Sequence, residues 1–203
     1  ALLHRRKTGK GMYIEQAQVE AGVSFLAPAI LDYTVNGRVF TRMGNRDPQM
    51  SPHGVYPCQG ADRWVVIAVQ NDAQWVALCR GFGHPEAAAD PRFATFLARK
   101  QNEDELDQTI GEWTKEFSAE QIMTMLQEVG VPAGVVQTAE DLFKDPQLKH
   151  REHYRVLNHG VIGPHAYNAP AYRLSKTPAE IVRPGPCLGE HNEWVYREVL
   201  GYS

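Results

Sequence analysis

Cysteine is scarce in this sequence, and so are long apolar runs and clusters of basic residues. The three cysteines, Cys58, Cys79 and Cys187, lie far apart and form neither a CxxC pair nor a metal-binding spacing. This usage indicates a reducing, cytoplasmic setting without a disulfide framework. No apolar run approaches the length that spans a membrane. The net charge is only −3, with no concentrated basic face, so nucleic acid is not expected as a partner.

Several catalytic patterns are also missing. The sequence has no GxSxG segment, and Ser51 and His53 are too close together to act as a nucleophile and its base, which excludes a serine hydrolase. Neither a phosphate loop nor a dinucleotide fingerprint occurs. His150 and His153 have the spacing of metal ligands on a helix, but no third ligand is nearby and charged residues flank them. We interpret them as a solvated helix face and expect no metal and no tightly bound cofactor.

The composition that is present suffices for a folded domain. Hydrophobic residues make up 43% and charged residues 22% of the 203 positions, so a buried core can form and global disorder is not expected. Segments with helical apolar spacing are mixed with apolar runs bounded by turn residues, which indicates an α/β or α+β class. The predicted helices cover residues 17–35, 102–117, 119–129 and 190–200, and the predicted strands cover residues 12–15, 54–58, 64–69 and 131–136.

Local signals refine these elements. Pro28 lacks a backbone donor, so we expect it to bend or split the first long helix. The run from Trp64 to Val69 is almost continuously apolar and is predicted to be buried on both faces. Asn71 or Asp72 is expected to begin the next helix. Ser118 and the glutamine three residues later form a capping box.

The first eleven residues have the pattern of a helix end. Apolar residues lead into the basic cluster at residues 4–7, and Gly9 follows. Cations in a last turn and glycine just after it are typical of a helix C-terminus. We therefore expect a fragment whose upstream part has been lost or sits on another chain.

Residues 42–58 form a long segment of loop composition, with three prolines and two glycines. A loop of this length without helical or strand periodicity is usually functional or disordered, and the well-ordered pattern on both sides argues against disorder. Composition leaves two alternatives open: a functional loop, or a surface connection between domains. Asp47, which precedes Pro48 here, is the one isolated carboxylate whose position keeps it a functional candidate.

A series of short motifs runs along the chain. They are Arg42-x-Gly44-Asn45, Pro52-His53-Gly54-Val55-Tyr56, Ala61-Asp62-Arg63-Trp64, Asp90-Pro91-Arg92-Phe93, Gly130-Val131-Pro132-Ala133-Gly134, Asp145-Pro146-Gln147-Leu148 and Gly189-Glu190-His191. These motifs and their order resemble those of the family III CoA-transferases, and residues 1–11 resemble the helix that follows the catalytic residue of that family. The sequence thus resembles the C-terminal portion of this superfamily, which includes formyl-CoA and carnitine CoA-transferases and α-methylacyl-CoA racemase.

The resemblance implies an α/β fold that lacks its N-terminal part. It comprises part of a Rossmann-like large domain and a smaller α/β domain. Residues 1–53 would belong to the large domain and the active-site loop, residues 54–170 to the small domain, and residues 171–203 to the C-terminal return. Family members form dimers of interlocked subunits, so the implied partner is a second copy or the missing N-terminal portion, with no nucleic acid and no membrane.

The resemblance also implies a reaction. CoA is transferred between an acyl-CoA and a small carboxylic acid through an acyl-aspartyl anhydride, with the CoA thioester as substrate. The nucleophilic aspartate of the family lies just upstream of the position that matches Ala1. No catalytic residue is therefore expected in this chain, and the isolated chain is expected to be inactive.

The resemblance places substrate-binding residues in the loop, where Gln49, Met50, Ser51, His53 and Tyr56 are expected near the acyl group. Ser51 and His53 could donate to a carboxylate or an oxyanion, whereas a structural role for Tyr56 on its strand is equally open. The glycine-rich lid of formyl-CoA transferases has no counterpart here, which implies a less mobile lid with a different selectivity. Two alternatives remain: a racemase or lyase acting on acyl-CoA through general bases, and a non-catalytic fragment.

Overall fold

Short helices and two small sheets make up the regular structure of this chain. The structure, a computed structural model, describes residues 1–202. The helices are α1 (Leu2–Thr8), α2 (Gln18–Phe25), α3 (Ala27–Asn36), α4 (Asp72–Gly81), α5 (Phe96–Gln101), α6 (Glu103–Thr114), α7 (Ala119–Glu128), α8 (Ala139–Lys144) and α9 (Pro146–His150). The strands are β1 (His53–Pro57), β2 (Trp64–Ala68), β3 (Ala133–Val135), β4 (Tyr154–His159) and β5 (Gly163–Asn168). The predicted mixed class of helices and strands is confirmed.

The strands form one sheet with the order β1-β2-β3 and one two-stranded sheet of β4 and β5. In the first sheet β2 pairs antiparallel with β3, with Val65 opposite Val135. In the second sheet the antiparallel register begins with Tyr154 opposite Asn168. Within residues 1–202, no helix is both long enough and apolar enough to cross a membrane.

Residues 1–41 contain three helices with no buried side chain among them. α1 ends at Gly9, whose φ of 71° is the left-handed conformation that glycine adopts readily and whose N–H donates to the carbonyl of Arg5. Pro28 splits the predicted long helix into α2 and α3 and lies in the first turn of α3, where its missing N–H costs little. The strand predicted at residues 12–15 is wrong: this segment is irregular, since an isolated strand has no neighbour for its backbone groups.

Side-chain caps begin the helices α4, α5, α7, α8 and α9. The side chain of Asn71 accepts a bond from the N–H of Gln74 at the start of α4. Ser118 and Gln121 form the predicted reciprocal capping box of α7, and Thr138 begins α8 in the same way. These caps satisfy N–H groups that have no partner inside the helix. The helix predicted over residues 190–200 is present over residues 192–199, with two α-helical residues followed by a π-helix, Trp194–Val199.

The chain divides into two compact units, and the division passes through β1, β2 and α6. The first unit consists of Ala1–Val55 and Ala68–Asp107. Its core contains Trp75 and Phe93, whose rings meet edge to face with centroids 6.1 Å apart. The other buried apolar side chains of this unit are Val69, Leu78, Cys79, Phe82 and Leu106.

The second unit consists of Tyr56–Ile67 and the chain from Gln108 onward. Its core is formed by Val65, Ile67, Ile110, Ile122 and Leu126, all with 0% exposure. The prediction that residues 64–69 are buried on both faces is wrong. Alternate residues of β2 are exposed, including Val66 at 39%, as is usual for a strand of an antiparallel pair that is covered on one face.

Candidate functional site

The loop that begins at residue 42 contains two defined turns within the first unit. At Gly44 the backbone takes a φ of 63°, and the N–H of Arg46 donates to the carbonyl of Met43 at 3.2 Å. In the next turn the N–H of Gln49 donates to Asp47 Oδ1 at 2.7 Å, and Asp47 bridges to Met50. An aspartate that bonds the backbone two residues onward is a common way to fix a tight turn. Asp47 therefore has a structural function in this loop.

Arg46 joins the loop to the first two turns of α6. Its Nη2 donates to Asp104 Oδ1 at 2.5 Å and to Asp107 Oδ2 at 3.0 Å. Glu103 Oε2 lies 3.7 Å from the Arg46 Nε. These carboxylates, Asp104 first, raise the pKa of Arg46 above its usual value. The guanidinium is thus occupied by the protein's own carboxylates.

Two consecutive basic residues at the end of α5 contact the loop backbone. The Nε of Arg99 donates to the carbonyl of Ser51 at 2.7 Å. The Nζ of Lys100 donates to the carbonyl of Asp47 at 3.0 Å. Further along the loop, the N–H of Ser51 donates to the carbonyl of Val69 at 3.1 Å, one residue after β2 ends. Residues 47 and 51 are consequently both bonded to other residues of the same unit.

The imidazole of His53 is oriented by the loop itself. Its Nδ1 lies 2.5 Å from the carbonyl oxygen of Asn45. Because a carbonyl can only accept, Nδ1 carries the proton in this contact, which assigns the Nδ1–H tautomer to the neutral ring. The ring makes no other hydrogen bond to residues 1–202, so Nε2 can accept a bond from a ligand, or donate one when the ring is protonated.

The five predicted substrate-binding residues differ in their exposure. Gln49 is exposed, and Met50 and His53 are half-buried. Ser51 has 0% exposure, and its Oγ has no hydrogen-bond partner among residues 1–202. Tyr56, in the second unit, is 3% exposed. Gln49, Met50 and His53 can reach a ligand in this conformation of the loop, whereas the side chains of Ser51 and Tyr56 are enclosed by protein. Substrate binding by these residues stays a prediction.

Sequence reasoning missed the basic pair on α5 that contacts the loop. An Arg-Lys pair at the end of a short helix has the sequence pattern of a solvated last turn. Nothing in that pattern indicates that Arg99 is fully buried while Lys100 keeps 24% of its side chain exposed. Arg99 and Ser51 are 48 residues apart in the sequence, so their contact can be found only in the fold.

His150 is the last residue of α9, and His153 lies beyond this helix, just before β4. His150 is exposed, and the ring of His153 contacts Tyr154 edge to face at 4.9 Å. Among residues 1–202 no group of three or more His, Cys, Asp or Glu side chains is placed to hold a metal ion.

Known proteins resemble this chain in both sequence and fold. The sequence model described as CoA-transferase family III matches residues 1–192. The chain belongs to CoA-transferase family III. It is 33% identical to a succinyl-CoA–D-citramalate CoA-transferase from Chloroflexus aurantiacus, and the matched region covers the whole of this chain and 50% of that protein. A succinate–glutarate CoA-transferase from Agrobacterium fabrum is 34% identical over 98% of the chain and 49% of its own length.

A solved structure agrees with this assignment to family III. The CaiB/BaiF family protein from Brucella suis superposes with a TM-score of 0.83 at 31% identity, over 98% of this chain and 50% of that protein. The predicted family III fold is confirmed. The chain spans about half the length of the curated relatives it matches.

Proposed function

We propose that this family III chain is the C-terminal part of an enzyme that transfers CoA between an acyl-CoA and a small carboxylic acid. The observation that carries the proposal is the family match over residues 1–192. The relatives described above are named for transfer from or to succinate, with citramalate or glutarate as the second acid. Dicarboxylic acids of four or five carbons are therefore the first substrates to test.

In the proposed reaction an aspartate outside residues 1–203 attacks the thioester. Its carboxylate oxygen bonds to the acyl carbon, the carbon–sulfur bond breaks, and CoA leaves as a thiolate. The CoA thiolate then attacks the aspartyl carbonyl of the anhydride, which releases the first acid and leaves an aspartyl-CoA thioester. The acceptor carboxylate displaces CoA to form a second anhydride, and the thiolate attacks the acyl carbonyl of that anhydride, which yields the new acyl-CoA and the free aspartate. Each of these covalent steps is easier than direct exchange. The CoA thioester is a substrate here, and the reaction as written needs no resident cofactor.

The residues proposed to face the acyl group are the loop residues whose side chains are at least partly exposed. Gln49 supplies an exposed amide, Met50 an adaptable apolar surface, and His53 a ring nitrogen held in place by Asn45. Ser51 and Tyr56 would support the loop and its strand from within the protein.

We also propose that residues 1–41 are covered in the complete enzyme, by its missing N-terminal portion or by a second subunit. Tyr13 is 86% exposed, Phe25 88% and Val35 71%. Apolar surface on this scale usually marks an interaction site. Light scattering should show a monodisperse dimer for the complete protein. The 203-residue chain alone should self-associate through the exposed apolar side chains of residues 1–41.

The activity is tested by expressing the chain together with its upstream sequence. The complete protein is incubated with succinyl-CoA and a panel of mono- and dicarboxylic acids, and the CoA products are separated by chromatography. Hydroxylamine should trap the acylated aspartate as a hydroxamate. The matched control replaces the proposed upstream nucleophile by asparagine, which should abolish both exchange and trapping.

Three outcomes separate the candidates. Exchange with trapping supports transfer. Exchange of the proton at the α-carbon of an acyl-CoA, without any transfer, would mean racemase or lyase chemistry. Absence of exchange with every donor would overturn the proposal. The 203-residue chain alone should show no activity, and turnover by the purified chain would contradict the external position of the nucleophile.

A further inference from the structure

Arg99 is a charged side chain with no exposed surface. Its guanidinium donates to three different segments: to the carbonyl of Ser51 at 2.7 Å, to the carbonyl of Phe93 at 3.0 Å, and to Asp72 Oδ1 at 2.7 Å. It also lies 5.5 Å from the ring centroid of Trp75. A planar fork with five donors can join three acceptors in one fixed arrangement.

Stability alone does not explain this arginine. Its single carboxylate partner, Asp72, has 56% of its side chain exposed, and the other two acceptors are neutral carbonyls. Replacing a buried ionic group by a well-packed apolar side chain is often neutral or stabilising. What the arginine supplies that an apolar residue could not is a defined position for the carbonyl of Ser51.

Lys100 makes the matching contact at the other end of the same loop segment. Its Nζ bonds to the carbonyl of Asp47 at 3.0 Å and to Glu103 Oε1 at 2.6 Å. The two neighbouring residues therefore bind the backbone at both ends of residues 47–51. Between these ends lie Gln49 and Met50, which the proposed function places at the acyl group.

The backbone, and not the side chain, of Ser51 is what these contacts fix. Its N–H bonds to Val69 and its carbonyl to Arg99, while its buried Oγ has no partner among residues 1–202. Pro52 follows, and its carbonyl accepts from the N–H of Val69 at 2.8 Å. The segment that leads into His53 is thus bonded on both sides of the Ser51–Pro52 peptide.

We propose that Arg99 and Lys100 are positioning residues that hold residues 47–53 in the conformation needed to bind the acyl group. The proposal rests on the proposed function for its catalytic part, and on the contacts alone for its structural part. Neither residue touches substrate in this role. The effect of losing either one should appear as a more mobile loop and slower turnover.

The structural part is tested by amide hydrogen exchange on the 203-residue chain. Lys100→Met removes the bond to Asp47 but keeps the apolar stem. Amide exchange over residues 48–53 should become about tenfold faster or more, because the loop of the variant can open without breaking this charge-assisted bond. Exchange in α7 should not change. The control is Lys144→Met, which removes an exposed lysine that pairs with Glu140 on its own helix. Unchanged exchange over residues 48–53 in Lys100→Met would overturn the proposal.

Arg99→Lys gives a second and independent test. A lysine keeps the charge but cannot bond to Ser51, Phe93 and Asp72 together, so exchange over residues 48–53 should again be faster. Its control is Arg92→Lys at an exposed position that pairs with Asp90 and Glu105. If Arg99→Lys does not fold, the result for Lys100→Met decides.

The catalytic part is tested in the complete enzyme. We expect Lys100→Met to lower kcat by about tenfold, a size typical of lost positioning, while its thermal midpoint moves no further than that of Lys144→Met. An unchanged kcat in an active enzyme would overturn the positioning role. If the wild-type enzyme transfers no CoA, the proposed function fails, and hydrogen exchange still decides whether Arg99 and Lys100 fix the loop.

Discussion

Arg63 Nη1 donates to Asp141 Oδ2 at 2.6 Å and joins the turn between β1 and β2 to the first turn of α8. Asp141 also accepts bonds from the N–H and the hydroxyl of Thr138. Its carboxylate thus receives three hydrogen bonds at a helix N-terminus, where a negative charge is favoured. The bond from Arg63 first, and those from Thr138 next, lower the pKa of Asp141 from 3.8 to about 2.

We expect Asp141→Asn to lower the free energy of unfolding at neutral pH. The amide still accepts a bond from Thr138, so the variant removes chiefly the charge. Because the folded-state pKa of about 2 lies below the ordinary value of 3.8, the stabilisation is present above about pH 4 and is lost as the pH falls through about 2. In urea unfolding, the free energies of unfolding of the wild type and Asp141→Asn should converge as the pH is lowered through this range. Glu140→Gln, next to it on α8, is the control, and a difference independent of pH would contradict this account.

The alternation along β2 predicts unequal losses of stability for two neighbouring substitutions. Ile67 has 0% exposure and Val66 39%. Ile67→Ala should cost about 2–5 kcal/mol of the free energy of unfolding, through lost burial and the cavity that remains. Val66→Ala should cost about 1 kcal/mol or less, because its side chain faces solvent. Urea titration measures both, and equal costs would mean that β2 is covered on both faces.

The proposed function of His53 can be tested by replacing it with asparagine, whose side-chain amide resembles the Nδ1 side of the imidazole ring. In His53→Asn the side-chain amide can replace Nδ1–H in the bond to Asn45 while Nε2 is lost. In the complete enzyme we expect kcat/KM to fall about tenfold or more, as for a lost polar contact to the reacting group. Hydrogen exchange of the loop should stay as in the wild type. His53→Leu, which removes both nitrogens, should change both measurements; full activity of His53→Asn would restrict His53 to holding Asn45.

The three cysteines should differ sharply in reactivity. Burial raises the pKa of Cys79 to about 12 and also raises that of Cys58, whereas Cys187 is exposed. At pH 8 the Cys79 thiol is therefore almost entirely protonated, and the thiolate is the reactive form. Iodoacetamide should therefore label Cys187 alone in the folded chain, and all three after unfolding in urea, as counted by mass spectrometry. Early labelling of Cys79 would contradict the buried core of the first unit.

The sequence predicts best those features that depend on a few consecutive residues. The caps at Asn71, expected there or at Asp72, and at Ser118 were predictable because a side-chain oxygen and an N–H three residues onward are enough to form them. The split at Pro28 follows equally from the missing donor of one residue. The family fold was predictable from ordered motifs that cover the chain.

Features that depend on distant partners could not be predicted in this way. The apolar run of β2 does not tell how many of its faces are covered, and Val66 is exposed because one face lacks a covering layer. Residues 12–15 have the composition of a strand, but no strand within residues 1–202 pairs with them. Arg99 has the pattern of a surface residue, and its burial is decided by Ser51, Asp72 and Phe93, which lie 48, 27 and 6 residues away.

The contacts of Arg46 also affect how an anionic acid would approach this loop. Its charge is opposed by Glu103, Asp104 and Asp107 within 3.7 Å. Three carboxylates against one guanidinium leave this ion-pair cluster without excess positive charge, so the cluster would not attract a carboxylate over the roughly 8 Å that charges reach at physiological salt. In the proposed enzyme, added salt would therefore not slow association of the acid by screening an attraction to this cluster, and selection among acids would rest on contacts made after arrival.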